Sequence, residues 1–296
     1  VAIAVAGGGD AVALFETRHR DLRRRKALTT GLGALLFALA FGASAIVGEV
    51  DPGRFAAGVP NILDYVHRTL PEISARQPLT DIGEWYWAID IWLLLMLDTV
   101  LMGFVGTLAG TAVALLFCFH AAANLAPTRW SFWLARRGFE FARTVPELVF
   151  ALIFVFAFGP GPFAGVLAIA IHSAGALGKL FAEVNENADP RPIDALAAAG
   201  AGWTETMRFA VLPQVLPNFL SYGLLRFEIN VRAASVLGIV GAGGIGEELY
   251  LVVRRFLYSD ISAIVLLILI TVSLIDMGCE RLRHGLIEAG PARATR

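Results

Sequence analysis

Ala27–Val47 runs for 21 residues without a charge, directly after Arg23, Arg24, Arg25 and Lys26. A helix needs about 20 apolar residues to cross the roughly 30 Å hydrocarbon layer of a bilayer. In lipid, a backbone must satisfy its own hydrogen bonds, which leaves helices or closed barrels. No other feature constrains the chain as much, because such stretches recur. Thr99–His120 is uncharged for 22 residues, Leu148–Gly178 for 31, and Ile261–Ile275 is the uncharged heart of a further segment. The 31-residue run is too long for one crossing. Gly159-Pro160-Gly161-Pro162 divides it, since proline removes a helical donor and clashes with the preceding turn. Two spans follow, about 139–158 and 163–182, and Pro217–Val240 adds a fifth with charges inside it. The expected fold class is therefore all-α: a polytopic membrane protein with about six transmembrane helices. Composition agrees. Of 296 residues, 57% are hydrophobic and 17% charged, with mean hydropathy +0.67, whereas soluble domains carry about a quarter charged residues.

Orientation follows from the basic residues, which collect on the cytoplasmic side. A six-span arrangement with the N-terminus inside puts 1–26, 123–138, 183–216 and 281–296 in the cytoplasm. These regions and the adjoining helix ends hold 17 of the 24 Lys and Arg, five lie outside, and two fall within span five. Both termini are then cytoplasmic, and the expected location is the plasma membrane. The N-terminus is apolar first and basic afterwards, the reverse of a secretory signal. The expected organisation is a cytoplasmic lead-in (1–26), a first span with an extracytoplasmic segment (27–90), a core (91–282) and a cytoplasmic tail (283–296). The segment 48–86 carries Pro52, Pro60, Pro71 and Pro78 and suits short interfacial helices, with Trp85, Tyr86 and Trp87 at headgroup level. Gly106 and Gly110 in the second span form a GxxxG pair, a spacing that lets another helix approach closely.

Several chemistries find no support. A net charge of −1 gives no sign of nucleic acid. Cys118 and Cys279 show neither CxxC nor CxxH spacing. His120 and His172 stand singly on apolar segments, where packing or a hydrogen bond to a neighbouring helix is the expectation rather than metal. Gly241-Ala242-Gly243-Gly244-Ile245-Gly246 fits GxGxxG, with Asp260 following. A dinucleotide site would need a strand before it, and a membrane span precedes it instead. The expected role is a flexible extracytoplasmic turn where close backbone packing needs no side chain. No GxxxxGK[ST] phosphate loop exists; Gly175-Ala176-Leu177-Gly178-Lys179-Leu180 has the wrong spacing. Neither a metal site nor a cofactor is expected. A membrane-embedded enzyme would show a ligand cluster or a nucleophile with its base, and none is apparent.

Span five bears Arg226, Glu228 and Arg232. A charge at the bilayer centre costs about 2.5–3.5 kcal/mol on insertion scales, so each needs compensation. Glu228 and Arg232 lie one helical turn apart and are expected to form a structural ion pair. Arg226 shares another stripe with Tyr222 and Asn230 and has no carboxylate there. Two roles stay open for it: a pair with a carboxylate on another helix, Glu147 being one candidate, or a substrate contact on a translocation path with Tyr222 and Asn230. Asp98 and Asp276, near span ends, face either a polar path or water.

Between spans four and five lies a cytoplasmic loop, 188–216. Asp189 is a fitting N-cap with Pro190 at the first helical position. An alanine run favours helix, Gly200 and Gly202 interrupt it, and a second short helix is expected to end before Pro213. This loop resembles that of the permeases of binding-protein-dependent ABC importers, whose signature is Glu-Ala-Ala, three residues, Gly, nine residues, then Ile-x-Leu-Pro. Asp194, Ala195, Gly200, Leu212 and Pro213 match in type and spacing; Asp194 stands for Glu, Leu196 replaces the second Ala and Ala210 replaces Ile. Arg143–Leu148, Gly178–Val184, Arg226–Arg232 and Leu237–Gly246 look like the phosphonate-type permeases, so the resemblance covers about residues 90–280.

The resemblance implies cytoplasmic coupling helices built on those five residues and an importer of a small oxyanion such as phosphonate, phosphate or phosphite. It also implies partners: cytoplasmic ATP-binding subunits, a second permease subunit (the same or homologous), and an extracytoplasmic solute-binding protein. ATP hydrolysis would belong to the separate subunits. The alternatives are an importer of another small solute, or a stand-alone channel or carrier working without an ATPase.

Overall fold

In the computed structural model, which describes residues 8–71, 73–74 and 76–288, every regular element among the described residues is helical. The chain divides into two compact units at Tyr65/Val66. The first holds α1 (Gly8–Val47) and most of α2 (Pro52–Thr69). α1 continues unbroken from its basic run into the apolar stretch, so the expected lead-in 1–26 and first span form one helix over the described residues. Asp51 caps α2, accepting from the amides of Gly53 at 2.8 Å and Arg54 at 3.2 Å.

The second unit opens with the short helix α3 (Pro78–Trp85), followed by α4 (Ile89–Ala121), α5 (Arg129–Thr144) and α6 (Glu147–Phe158). Next come α7 (Pro162–Glu186), α8 (Pro190–Ala198) and α9 (Trp203–Thr206). A π-helical stretch, Met207–Val211, leads into α10 (Leu212–Leu237), and α11 (Ile245–Arg254) and α12 (Tyr258–Glu288) complete the unit. Four helices are long and apolar enough to cross a membrane, namely α1, α4, α7 and α12, and bent pairs raise the number to six. The fold class is as expected, an all-α polytopic membrane protein.

One span departs from the continuous helix expected, and another starts earlier than expected. The third, at 139–158, is broken: α5 and α6 meet at 87°. Pro146 is the cause. It has no amide to donate to Ala142, and its ring holds Val145 in the extended region at φ −73°, ψ 123°. α6, at 12 residues, reaches only about 18 Å. The fifth span begins earlier than Pro217 and bends by 48° into α11. Nor does the coupling loop's second helix end before Pro213. The Leu212 amide bonds five residues back to Met207 O, and this widened turn shifts the carbonyl ladder so that the proline enters α10 at its first turn without breaking it.

α4 and α7 form the centre. A Cβ on Gly110 would sit 2.7 Å from Ala170 O and from Ser173 Cβ, and one on Gly106 2.7 Å from Ile169 Cγ2. The GxxxG pair thus permits the close approach expected of it. Most buried apolar side chains fall into three clusters along the bundle, with a smaller fourth at Ala121, Phe139 and Ala182. Phe181 and Phe219, with ring centroids 4.0 Å apart, Leu177, Met207 and Val211 fill the end near α8. Met102, Ile169 and Leu237 fill the middle, and Trp92, Ile245 and Ile264 the opposite end.

Each end of the bundle is tied by polar contacts. Near α8, Glu186 accepts from the Ala123 amide at 2.9 Å and pairs with Arg136 at 3.0 Å, while Trp203 Nε1 donates to Leu125 O at 2.7 Å. At the far end Trp85 Nε1 donates to Ser259 O at 3.0 Å, joining the aromatic trio before α4 to the start of α12. The Gly-Pro-Gly-Pro turn meets the glycine-rich turn there: the Gly161 amide donates to Gly241 O at 2.8 Å. That glycine-rich turn is packed rather than flexible. The Ile245 amide donates to Thr99 Oγ1 at 2.9 Å, and a Cβ on Gly246 would overlap Ser235 O.

Candidate functional site

Polar side chains are scarce inside this bundle, so those that are buried have to find one another. Three do so where α4, α7 and α10 cross. Asn230 is fully buried, and its Nδ2 donates to Thr107 Oγ1 at 2.7 Å and to Ser173 Oγ at 2.8 Å. Thr107 in turn donates to Gly103 O at 2.6 Å. One turn from Asn230 on α10, Arg226 donates from Nε to the same Ser173 hydroxyl at 3.2 Å. The Glu147 carboxylate, at the start of α6, lies 3.8 Å from Arg226 Nη2. Beside it, His172 Nδ1 lies 3.1 Å from Val145 O and ties α7 to the α5–α6 bend. That contact is the role expected for His172, and His120 packs edge-on against Trp203 with ring centroids 4.9 Å apart.

The expected stripe of Tyr222, Arg226 and Asn230 is therefore present, and the structure joins Asn230 and Arg226 through Ser173. Tyr222 lies farther along, half-buried, in a cavity of about 410 Å³ lined also by Glu183, Asn187, Gln214 and Asn218. Of the two roles left open for Arg226, the pairing with Glu147 is present. It does not use up the guanidinium, because 3.8 Å is beyond hydrogen-bonding range. Thr107 and Ser173 escaped the sequence reading. The only signal for them was a hydroxyl inside an apolar run, which membrane helices also carry to bond their own backbone.

The pairing of Glu228 with Arg232 requires correction. Glu228 pairs with Arg283 at 3.4 Å and Arg232 with Asp276 at 3.7 Å, both on α12. α12 runs antiparallel to α10 and offers charges of the opposite sign at matching heights. The i,i+4 spacing is real, but it is overridden by partners that only the tertiary fold supplies. Asp98 is exposed on α4.

In the loop between α7 and α10, Asp189 accepts from the Arg191 amide at 3.0 Å and caps α8, as expected. Gly200 ends α8 at φ +85°. The Gly200 amide donates to Ala197 O and the Ala201 amide to Leu196 O, both at 3.0 Å, a left-handed helix stop. Asp194 and Ala195 are exposed on α8, Leu212 is half-buried and Pro213 exposed. Ile193 and Trp203 pack inward against the bundle, so the opposite face of α8 stays open.

Residues 106–278 match the family described as the binding-protein-dependent transport system inner membrane component. This chain belongs to that family. It resembles the phosphite transport system permease protein PtxC of Stutzerimonas stutzeri, 38% identical over 83% of this chain and 85% of the relative. It is also similar to the putative phosphite permease HtxC of the same organism, 33% identical over 94% and 93%. The phosphate-import permease PhnE of Mycolicibacterium smegmatis is 42% identical over 60% of this chain and 34% of its own length. Among solved structures, the inward-facing MetNI methionine ABC transporter matches with TM-score 0.58 at 18% identity, covering 67% of this chain and 97% of that one. This last likeness concerns the fold. The family resemblance read from the loop is confirmed, and the chain is a membrane permease subunit of a transport system.

Proposed function

We propose that this chain is the permease subunit of an ATP-driven importer that carries a small phosphorus oxyanion (phosphonate, phosphate or phosphite) inward across the plasma membrane. One observation carries the substrate class: a guanidinium only 13% exposed, between membrane helices, with a single hydrogen bond to protein among the described residues. Guanidinium presents a planar fork of donors suited to two oxygens of such an anion, which an ammonium cannot reproduce. The relatives named for phosphite and phosphate support the same reading. Asn230 positions Arg226 through Ser173, and the cavity at Tyr222 is the inner mouth of the path.

The open face of α8, with Asp194 and Ala195, seats against a cytoplasmic ATP-binding subunit. Gly200, Leu212 and Pro213 set its angle to α10, so that 188–216 couples ATP binding to movement of the core 91–282. The chain has no phosphate loop of its own. A second permease subunit, identical or homologous, completes the path, and an extracytoplasmic binding protein delivers the solute. The end of the bundle near α8 and both termini are cytoplasmic.

Uptake of phosphite into vesicles holding the assembled transporter tests this. Arg226→Lys keeps the charge and loses the fork, so uptake falls at least about tenfold while assembly and basal ATP hydrolysis persist. Wild-type uptake by that variant refutes the site.

A further inference from the structure

Glu147 is the loosest member of the Arg226 site. Its Oε2 is buried, has no hydrogen-bond partner among the described residues, and stands 3.8 Å from Nη2. The side chain as a whole keeps 26% exposure, twice that of Arg226. A carboxylate and a guanidinium free to adapt close to about 2.7–2.9 Å, often through two parallel bonds. This pair has not closed. Glu147 is the first residue of α6, its backbone is set by the 87° bend after Pro146, and the bend is held to α7 by His172. Arg226 is anchored from the other side by Ser173. The result is charge compensation without hydrogen bonding, and a fork of Nη donors that a freely rotating anion can engage better than the tethered carboxylate does.

We propose that Glu147 is a tethered internal anion: it neutralises Arg226 while the path is empty, and the incoming oxyanion displaces it. This rests on Arg226 being the oxyanion site. The exchange keeps one negative charge beside the guanidinium throughout, so no step leaves a bare cation at that depth. The displaced carboxylate keeps its own exposed edge, and its return drives the solute off. A path has to bind its cargo strongly enough to admit it and weakly enough to release it, and a built-in competitor supplies the second half. It also sets the sign of the cargo, since a neutral or cationic solute cannot displace the carboxylate.

The test uses the transporter assembled with its ATP-binding subunits, without the binding protein, and reads the thermal midpoint against phosphite concentration. An opposite charge at this range is worth about one to three pK units. Glu147→Gln therefore lowers the half-stabilising phosphite concentration about tenfold or more. Glu147→Asp, which keeps the competitor, stays near wild type. Arg226→Gln abolishes the phosphite effect in both backgrounds. A Glu147→Gln protein that assembles only when phosphite is present during purification supports the same exchange, and one that fails to assemble even with phosphite overturns it. An unchanged or raised half-stabilising concentration in Glu147→Gln, with the effect still lost in Arg226→Gln, overturns the tethered-anion role and leaves the Arg226 site standing. Phosphite stabilisation that survives Arg226→Gln, or that appears in no protein of the set, overturns the site itself.

Discussion

Gly200 offers a substitution series in which space and backbone strain separate cleanly. A Cβ built there meets nothing within 4 Å, so the described residues leave room for one. The backbone is another matter. At φ +85° the left-handed region costs an L-residue about 1–2 kcal/mol, a factor of about 5–30 in a local equilibrium. Asparagine tolerates that region, alanine less so, and a β-branched residue least. The alternative for a strained variant is to extend or fray α8, giving up the stop formed by the Gly200 and Ala201 amides. Either outcome swings the open face of α8 relative to α10. The expected order of ATP-dependent phosphite uptake per assembled transporter is Gly, then Asn, then Ala, then Val, with Asn within about twofold of Gly and Val reduced at least about tenfold. Amide exchange over 190–201 should quicken in the same order. If Gly200→Val transports like the glycine protein, or if Gly200→Asn falls as low as Gly200→Val, the left-handed stop is not what sets the coupling geometry. An effect of bulk alone would instead follow side-chain volume, with Asn below Ala.

Two further outcomes follow from the packing. Glu228→Gln strands Arg283 rather than Arg232, which keeps Asp276. The variant should lose about 1–3 kcal/mol of assembled-transporter stability by thermal melting, and Arg283→Met in the same chain should restore part of it; a larger recovery from Arg232→Met would contradict the α10–α12 pairing. For orientation, a single cysteine at Gly8 should resist an impermeant thiol reagent in intact cells while one at Gly53 reacts; labelling at Gly8 overturns the inside location of the N-terminus. Ala292, the corresponding C-terminal position, lies outside the described residues.

What the sequence showed and what it hid divide along one physical line. Features that depend on a chain segment alone were legible. Uncharged length marked the spans, the Asp189-Pro190 start and the Gly200 stop marked α8, and the Gly106/Gly110 spacing marked the face of α4 that α7 approaches. Features that depend on two segments were legible only where one partner was unusual enough to demand the other. Arg226 demanded compensation from another helix, and Glu147 was one candidate for it. Glu228 and Arg232 demanded it too, but each had an acceptable partner one turn away, so nothing in span five pointed to Arg283 and Asp276.

Proline misled in both directions for a related reason. Pro146 lies inside the expected third span, 139–158, whose length argues for a straight crossing, yet the helix breaks there. Pro213 stands where a break is expected, yet a π-helical turn before it absorbs the missing donor and the helix runs on. The local rule is the same at both positions. The difference lies in what surrounds each turn: Val145 O is held by His172 across the break at Pro146, while Met207, Ala210 and Val211 are buried and keep the π turn packed against the bundle. The bend that results places Glu147 at a helix start beside Arg226 instead of partway along a span. A straight third helix would give the carboxylate a different height and a different reach. The loose ion pair at the centre of the site is thus a consequence of Pro146, one residue before it.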